Sequence, residues 1–187
     1  LQAARFIARI RSATDMTVIK EKCEGPNATS PDGEGMGADE AMARVRNAYG
    51  HLLERDRVLL EIDANERSLT HKLAEYLQLE FPNWHVDCEY NRDRHEMKRL
   101  DWAEVRSDDT NATTVFPDII VHLRVTNENL IVIEAKKSTT ATGGADHRKL
   151  ARYKEELRYR FAVEVVFPVG VDASDASPAI DVREVVE

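Results

Sequence analysis

Between Ala41 and Ile62, the apolar residues Met42, Val45, Tyr49, Leu52 and Leu59 recur mostly at three- and four-residue steps, which predicts one amphipathic helix. Asp63-Ala-Asn-Glu66 then fits an N-cap with an acid at N3, predicting a second helix through Leu79. The pattern changes to alternation at His85–Tyr90, the mark of a strand. Two apolar runs follow, Asp118–Val125 and Leu130–Ala135, joined by Thr126-Asn-Glu-Asn129 as a hairpin turn. Asp146 is placed to cap a helix through Arg160, and Ala162–Val169 forms a further strand. The order is helix, strand, strand, strand, helix, strand after an extra N-terminal helix. That order predicts an α/β fold with a mixed sheet flanked by helices.

The remaining segments are polar or broken by turn residues. Residues 1–20 hold a short apolar piece, Phe6, Ile7 and Ile10, and glycine, proline, serine and asparagine crowd residues 24–39 as in a flexible linker. Residues 91–114 are charged and long for a plain hairpin, a length common in functional or mobile loops. Gly143-Gly144 lacks the spacing and the Gly-Lys-Ser/Thr ending of a phosphate-binding loop, so it predicts a flexible joint. The division is an N-terminal arm and linker (1–38), one folded domain (39–170) and an acidic tail (171–187).

Composition narrows the classes. Across 187 residues, 42% are hydrophobic and 32% charged, as in a globular chain with a core that needs no disulfides. No apolar run reaches the roughly 20 residues that span a bilayer, and none has the layout of a secretory signal. Cys23 and Cys88 form neither a disulfide framework nor a zinc spacing, which points to a reducing, cytoplasmic setting. The net charge of −8 argues against coating nucleic acid by bulk attraction. It leaves room for a local site that binds an anionic ligand, because basic patches and a bound cation reverse the field locally. The chain opens at Leu1 rather than methionine, which allows for fusion to another domain.

Chemistry concentrates where the two apolar runs meet. Side chains alternate across a strand, so Glu134 and Lys136 share one face while Ile131, Ile133 and Ala135 share the other. On the preceding strand, Asp118, Ile120, His122 and Arg124 share a face. Pairing of the two strands brings Asp118 beside Glu134 at one end of the sheet. Mg²⁺ takes one or two carboxylates and keeps several waters, and a neighbouring lysine can stabilise charge developing on phosphorus. An isolated Glu-x-Lys is usually an ordinary surface ion pair of little energetic weight, so the surrounding strands carry much of the signal.

Those strands, "FPDIIVHLR" and "NLIVIEAKKS", resemble the PD-(D/E)XK nuclease superfamily. The resemblance covers roughly residues 63–168 and implies a restriction-endonuclease-like αβββαβ core. It implies Asp118 and Glu134 as metal ligands and Lys136 as the catalytic lysine. It further implies Mg²⁺, with Mn²⁺ as a substitute, and hydrolysis of phosphodiester bonds, in DNA ahead of RNA, by a metal-activated water. Many members carry a glutamate on the first core helix, and Glu66 is the matching residue; the Asp63 capping box explains Glu66 equally well.

Further residues carry weaker signals. The last helix offers Lys149 and Arg152 as nucleic-acid contacts, and Arg92 near the end of the first strand offers another. Some exonuclease-like branches have Gln-xxx-Tyr where this chain has Lys149-Leu-Ala-Arg-Tyr153, so Lys149 replaces the glutamine and Tyr153 reads as packing. His122 lies about 13 Å along its strand from Asp118 and reads as structural. A catalytically inert nuclease-fold module that binds nucleic acid or protein is the alternative. An exposed apolar stripe on the 41–62 helix would serve a homodimer.

Overall fold

Leu69, Leu73 and Leu77 lie one turn apart in sequence, so a helix stacks them on one side, and all three are fully buried. Each such burial contributes roughly 1.5–3 kcal/mol. The structure, a computed structural model, describes residues 35–90, 92–93, 96–97, 116–140 and 145–186. The unit from Met36 onward is the domain considered below. Residues 1–34 of the arm and linker expected over 1–38, most of the 91–114 segment, the Gly143-Gly144 joint and the side chain of Asp146 lie outside the described residues.

The helices are α1 (Ala38–Arg55), α2 (Arg57–Glu61), α3 (Glu66–Glu80), α4 (Ala145–Leu157) and α5 (Pro178–Asp181). The strands are β1 (His85–Cys88), β2 (Arg92–Asp93), β3 (Glu96–Met97), β4 (Ile119–His122), β5 (Asn129–Lys137), β6 (Phe161–Phe167) and β7 (Val182–Glu184). Five strands form a mixed sheet in the order β1-β4-β5-β6-β7, while β2 and β3 pair separately. β5 runs antiparallel to β4 and parallel to β6. β1 and β7 are antiparallel edges.

Alternation along β5 divides the apolar contacts into two layers. Ile131, Ile133 and Ala135 join the larger core with α1 and α3, and Val132 joins the smaller one with Leu150, Tyr153 and Leu157 of α4. Met42, Val45, Tyr49 and Leu52 of α1 are buried in the larger core. That stripe therefore presents no exposed face for a second copy.

Several expected boundaries move, each for a local reason. The single helix over 41–62 is two, broken at Asp56, whose carboxylate accepts the Tyr76 hydroxyl at 2.5 Å. The cap of α3 is Asn65, whose side chain accepts from the Arg67 N–H at 2.9 Å. Asp63 instead takes a left-handed turn (φ 52°) and pairs with Lys137 at 2.8 Å. Glu66 is thus the first residue of α3 and is not the N3 member of an Asp63 box. β1 ends at Cys88 because Glu89 turns to φ 48°. α4 opens at Ala145, one residue before Asp146, and stops before Arg158 at φ 57°. β4 ends at His122, ahead of a turn in which the Leu123 N–H reaches the Glu128 carbonyl at 2.9 Å. Residues 170–184, expected to belong mostly to a tail, form a 3₁₀ turn, α5 and β7, with Val182 fully buried against β6.

His122 is structural, as its spacing suggested. It is buried, with Nε2 2.8 Å from Asp87 across the β1–β4 pair. Arg124 also clamps Asp87 through two hydrogen bonds. Burial pushes the Asp87 carboxyl up, but the Arg124 and His122 bonds outweigh it and hold the group below the usual carboxylate range. A depressed folded-state value means that this stabilisation is complete above the ordinary aspartate value and is lost as pH falls through the folded one. Asp87→Asn is therefore expected to cost about 2 kcal/mol at neutral pH. In urea titrations at successively lower pH, the gap to the native protein should stay constant above about pH 4, the ordinary aspartate range, and shrink only below it; a gap that shrinks at higher pH, or never shrinks on acidification, would exclude this origin.

Candidate active site

The antiparallel register pairs Ile119 with Ile133, so Asp118, one residue earlier, lies alongside Glu134, one residue later. The β-ladder itself reaches for Asp118, with the Ala135 N–H donating to its Oδ2 at 2.7 Å. Parallel pairing of β5 with β6 sets Glu134 opposite Glu164. Side-chain period then brings Lys136 to the same face, and its ammonium meets Glu164 Oε1 at 2.6 Å. Glu66 arrives from the other layer at the head of α3, where its Oε2 accepts from the Lys137 N–H at 3.1 Å. Glu66, Asp118, Glu134, Lys136 and Glu164 line one cavity of about 270 Å³.

The charges in this cavity are arranged in layers. Lys149 of α4 donates to Glu134 Oε2 at 2.7 Å. His147 approaches Glu164 Oε2 at 3.4 Å. Burial pushes the Glu164 carboxyl up, yet Lys136 and then His147 outweigh it and hold the group below its ordinary value. Tyr153 sits behind the site, where burial first, and then the Glu134 and Asp118 charges, push its hydroxyl far above the ordinary tyrosine value. It packs in the smaller core and stays a neutral phenol. Four carboxylates face two lysines, leaving two negative charges in excess before any cation is counted.

Of the residues singled out from sequence, Asp118, Glu134, Lys136 and Glu66 converge. Lys149 does not line the cavity but reaches it through Glu134, at which its ammonium is directed. Arg152 pairs with Glu156 at 2.9 Å on α4 and does not line the cavity. The backbone of Arg92 lies in β2, and its side chain is outside the described residues. Glu164 was missed. Its signal was a lone acid inside the otherwise apolar Phe161–Phe167 run, and it is almost fully buried.

Hard oxygen donors from α3, the start of β4, β5 and β6, with a surplus of two negative charges among the described residues, suit a hard divalent cation. Among the described residues, no group of three or more His, Cys, Asp or Glu is drawn together tightly enough to enclose a metal ion by itself. Magnesium sites commonly need only one or two carboxylates, with water completing the shell. The donor set is of the kind such an ion takes, and Asp118, Glu134 and Glu66 are the residues that would hold it.

No helix among the described residues is long and apolar enough to cross a membrane. No family model, curated protein or solved structure matches the chain.

Proposed function

We propose that this chain is a divalent-metal-dependent phosphodiesterase that cleaves nucleic acid, DNA ahead of RNA, on a PD-(D/E)XK core formed by α3, β1, β4, β5, α4 and β6. The observation that carries the reading is the convergence of Asp118, Glu134 and Lys136 on one cavity with an acidic surplus. The antiparallel β4–β5 pair followed by a parallel β5–β6 crossover through α4 supports it further.

In this reading Asp118 and Glu134 would hold Mg²⁺ or Mn²⁺, with Glu66 as a further oxygen donor on the same cavity. Such an ion polarises the phosphoryl oxygen and lowers the pKa of bound water. Lys136, paired with Glu164, offers its ammonium to the attacking water and to the charge that develops on phosphorus. Lys149, now paired with Glu134, would be the residue placed to contact the phosphate backbone once a cation neutralised that carboxylate. Arg152 is a weaker phosphate contact, because it must first leave Glu156.

The test is calorimetric titration with Mn²⁺. The native chain is expected to bind it, and Asp118→Ala to bind at least tenfold more weakly; absent binding, or binding unchanged in the variant, removes the metal site. The pre-existing Lys149–Glu134 pair favours one alternative, an inert nuclease-fold module that binds nucleic acid or protein. Mn²⁺ binding without cleavage of any DNA or RNA offered would select that module.

A further inference from the structure

A second cavity of about 400 Å³ opens beside the acidic one and shares Glu66 and Asp118 with it. Its remaining lining is different in kind. Arg67 and His71, one turn apart on α3, have side chains 84% and 70% exposed. Thr70 and Cys88 supply the less charged part. Glu89, turned by its positive φ, holds the Arg67 guanidinium at 2.9 Å.

Three features together describe a ligand. The size lies within the range that accommodates a whole small molecule, about 300–1,000 Å³. A guanidinium at the edge offers a planar fork that matches a phosphate. The shared carboxylates mean that a group in this cavity abuts whatever occupies the acidic pocket. A polymer cleaved at Asp118 and Glu134 must run onto adjoining surface, and this cavity adjoins them on the β1 side of the sheet. The Arg67–Glu89 pair is exposed on both sides, hence weak, and a phosphate can displace it.

We propose that this cavity is a nucleotide subsite in which Arg67 and His71 take the phosphate next to the one cleaved, while the sugar and base lie against Thr70 and Cys88. The subsite rests on the hydrolase reading for its role, but not for its occupancy. Glu89 on Arg67 and Glu75 on His71, at 3.5 Å, are the competitors that the phosphate must replace.

Cys88 provides the probe. The sequence has two cysteines, so Cys23→Ser leaves Cys88 as the sole thiol. Burial first, and then the charges of Asp87, Glu89 and Asp118, push that thiol up to about 11, so alkylation by iodoacetamide at pH 8.5 is slow enough to time. With Mg²⁺ present, saturating thymidine 5′-monophosphate is expected to slow the alkylation at least fivefold. Arg67→Ala should raise the half-protecting concentration at least tenfold, and Glu89→Gln should lower it at least threefold by releasing Arg67. Thymidine, which lacks the phosphate, should protect at least tenfold more weakly than the monophosphate. Absent protection, protection indifferent to Arg67, or equal protection by thymidine would overturn the subsite. The two readings also separate from each other. Cleavage that depends on Lys136 without Cys88 protection removes the subsite alone, whereas protection in a protein that cleaves no nucleic acid keeps the subsite and removes the hydrolase.

Discussion

Lys136→Met should lower metal-dependent phosphodiester cleavage by at least about 100-fold, the scale on which a positioned donor to transition-state charge acts. The same change strips the buried Glu164 of its closest cation, so it should also destabilise the fold by about 2–4 kcal/mol. Those two losses have different causes and can be separated. Glu164→Gln in the same chain removes the stranded charge, and the double variant is expected to recover most of the stability and none of the cleavage. Thermal melts and initial rates on the native chain, the single and the double variant make the comparison. If the double variant regained cleavage along with stability, Lys136 would be a structural lysine and the chemical role given to it would be wrong.

Leu77→Ala is expected to cost about 3 kcal/mol, within the range for emptying a packed leucine site. For a domain of this size that is a fall of roughly 6–12 °C in Tm. Leu77 is fully buried in the core beneath α3, while Leu79, two residues on, is 65% exposed. Leu79→Ala should therefore stay within about 0.5 kcal/mol. Because α3 carries Glu66 at its first position, the buried change should also weaken cleavage at temperatures below the melt. Equal melting temperatures for the two variants would contradict the packing described here.

How far the residues announce this arrangement differs from feature to feature. Glu134 and Lys136 were legible because strand alternation is strict, and Asp118 because its apolar run is followed directly by a turn and a second run. The larger core was legible from the helical spacing of Leu73, Leu77, Val45 and Leu52. Glu164 was not, since its partner Lys136 lies on a neighbouring strand and only the register of a parallel pair joins them. The α3 cap was read at Asp63, but Asn65, two residues on, is an equally good capping residue and takes that role. The choice fell to Asn65 once Asp63 found Lys137, a contact across 74 positions. β7 was hidden by its length, three residues with an exposed arginine at the centre, and by the acidity around it. Lys149 read equally well as solvated or as a phosphate contact, because nothing local says that a helix four turns long points it at Glu134. Long-range pairing decided each of these cases.

The most direct test of the central claim is the release of end-labelled fragments from DNA with Mg²⁺, measured side by side for the native chain and Asp118→Ala. The expected result is cleavage by the native chain that stops when EDTA removes the metal, and a rate at least 100-fold lower in a folded Asp118→Ala protein. Cleavage that survives EDTA, or that proceeds at the native rate without the Asp118 carboxylate, would contradict the account.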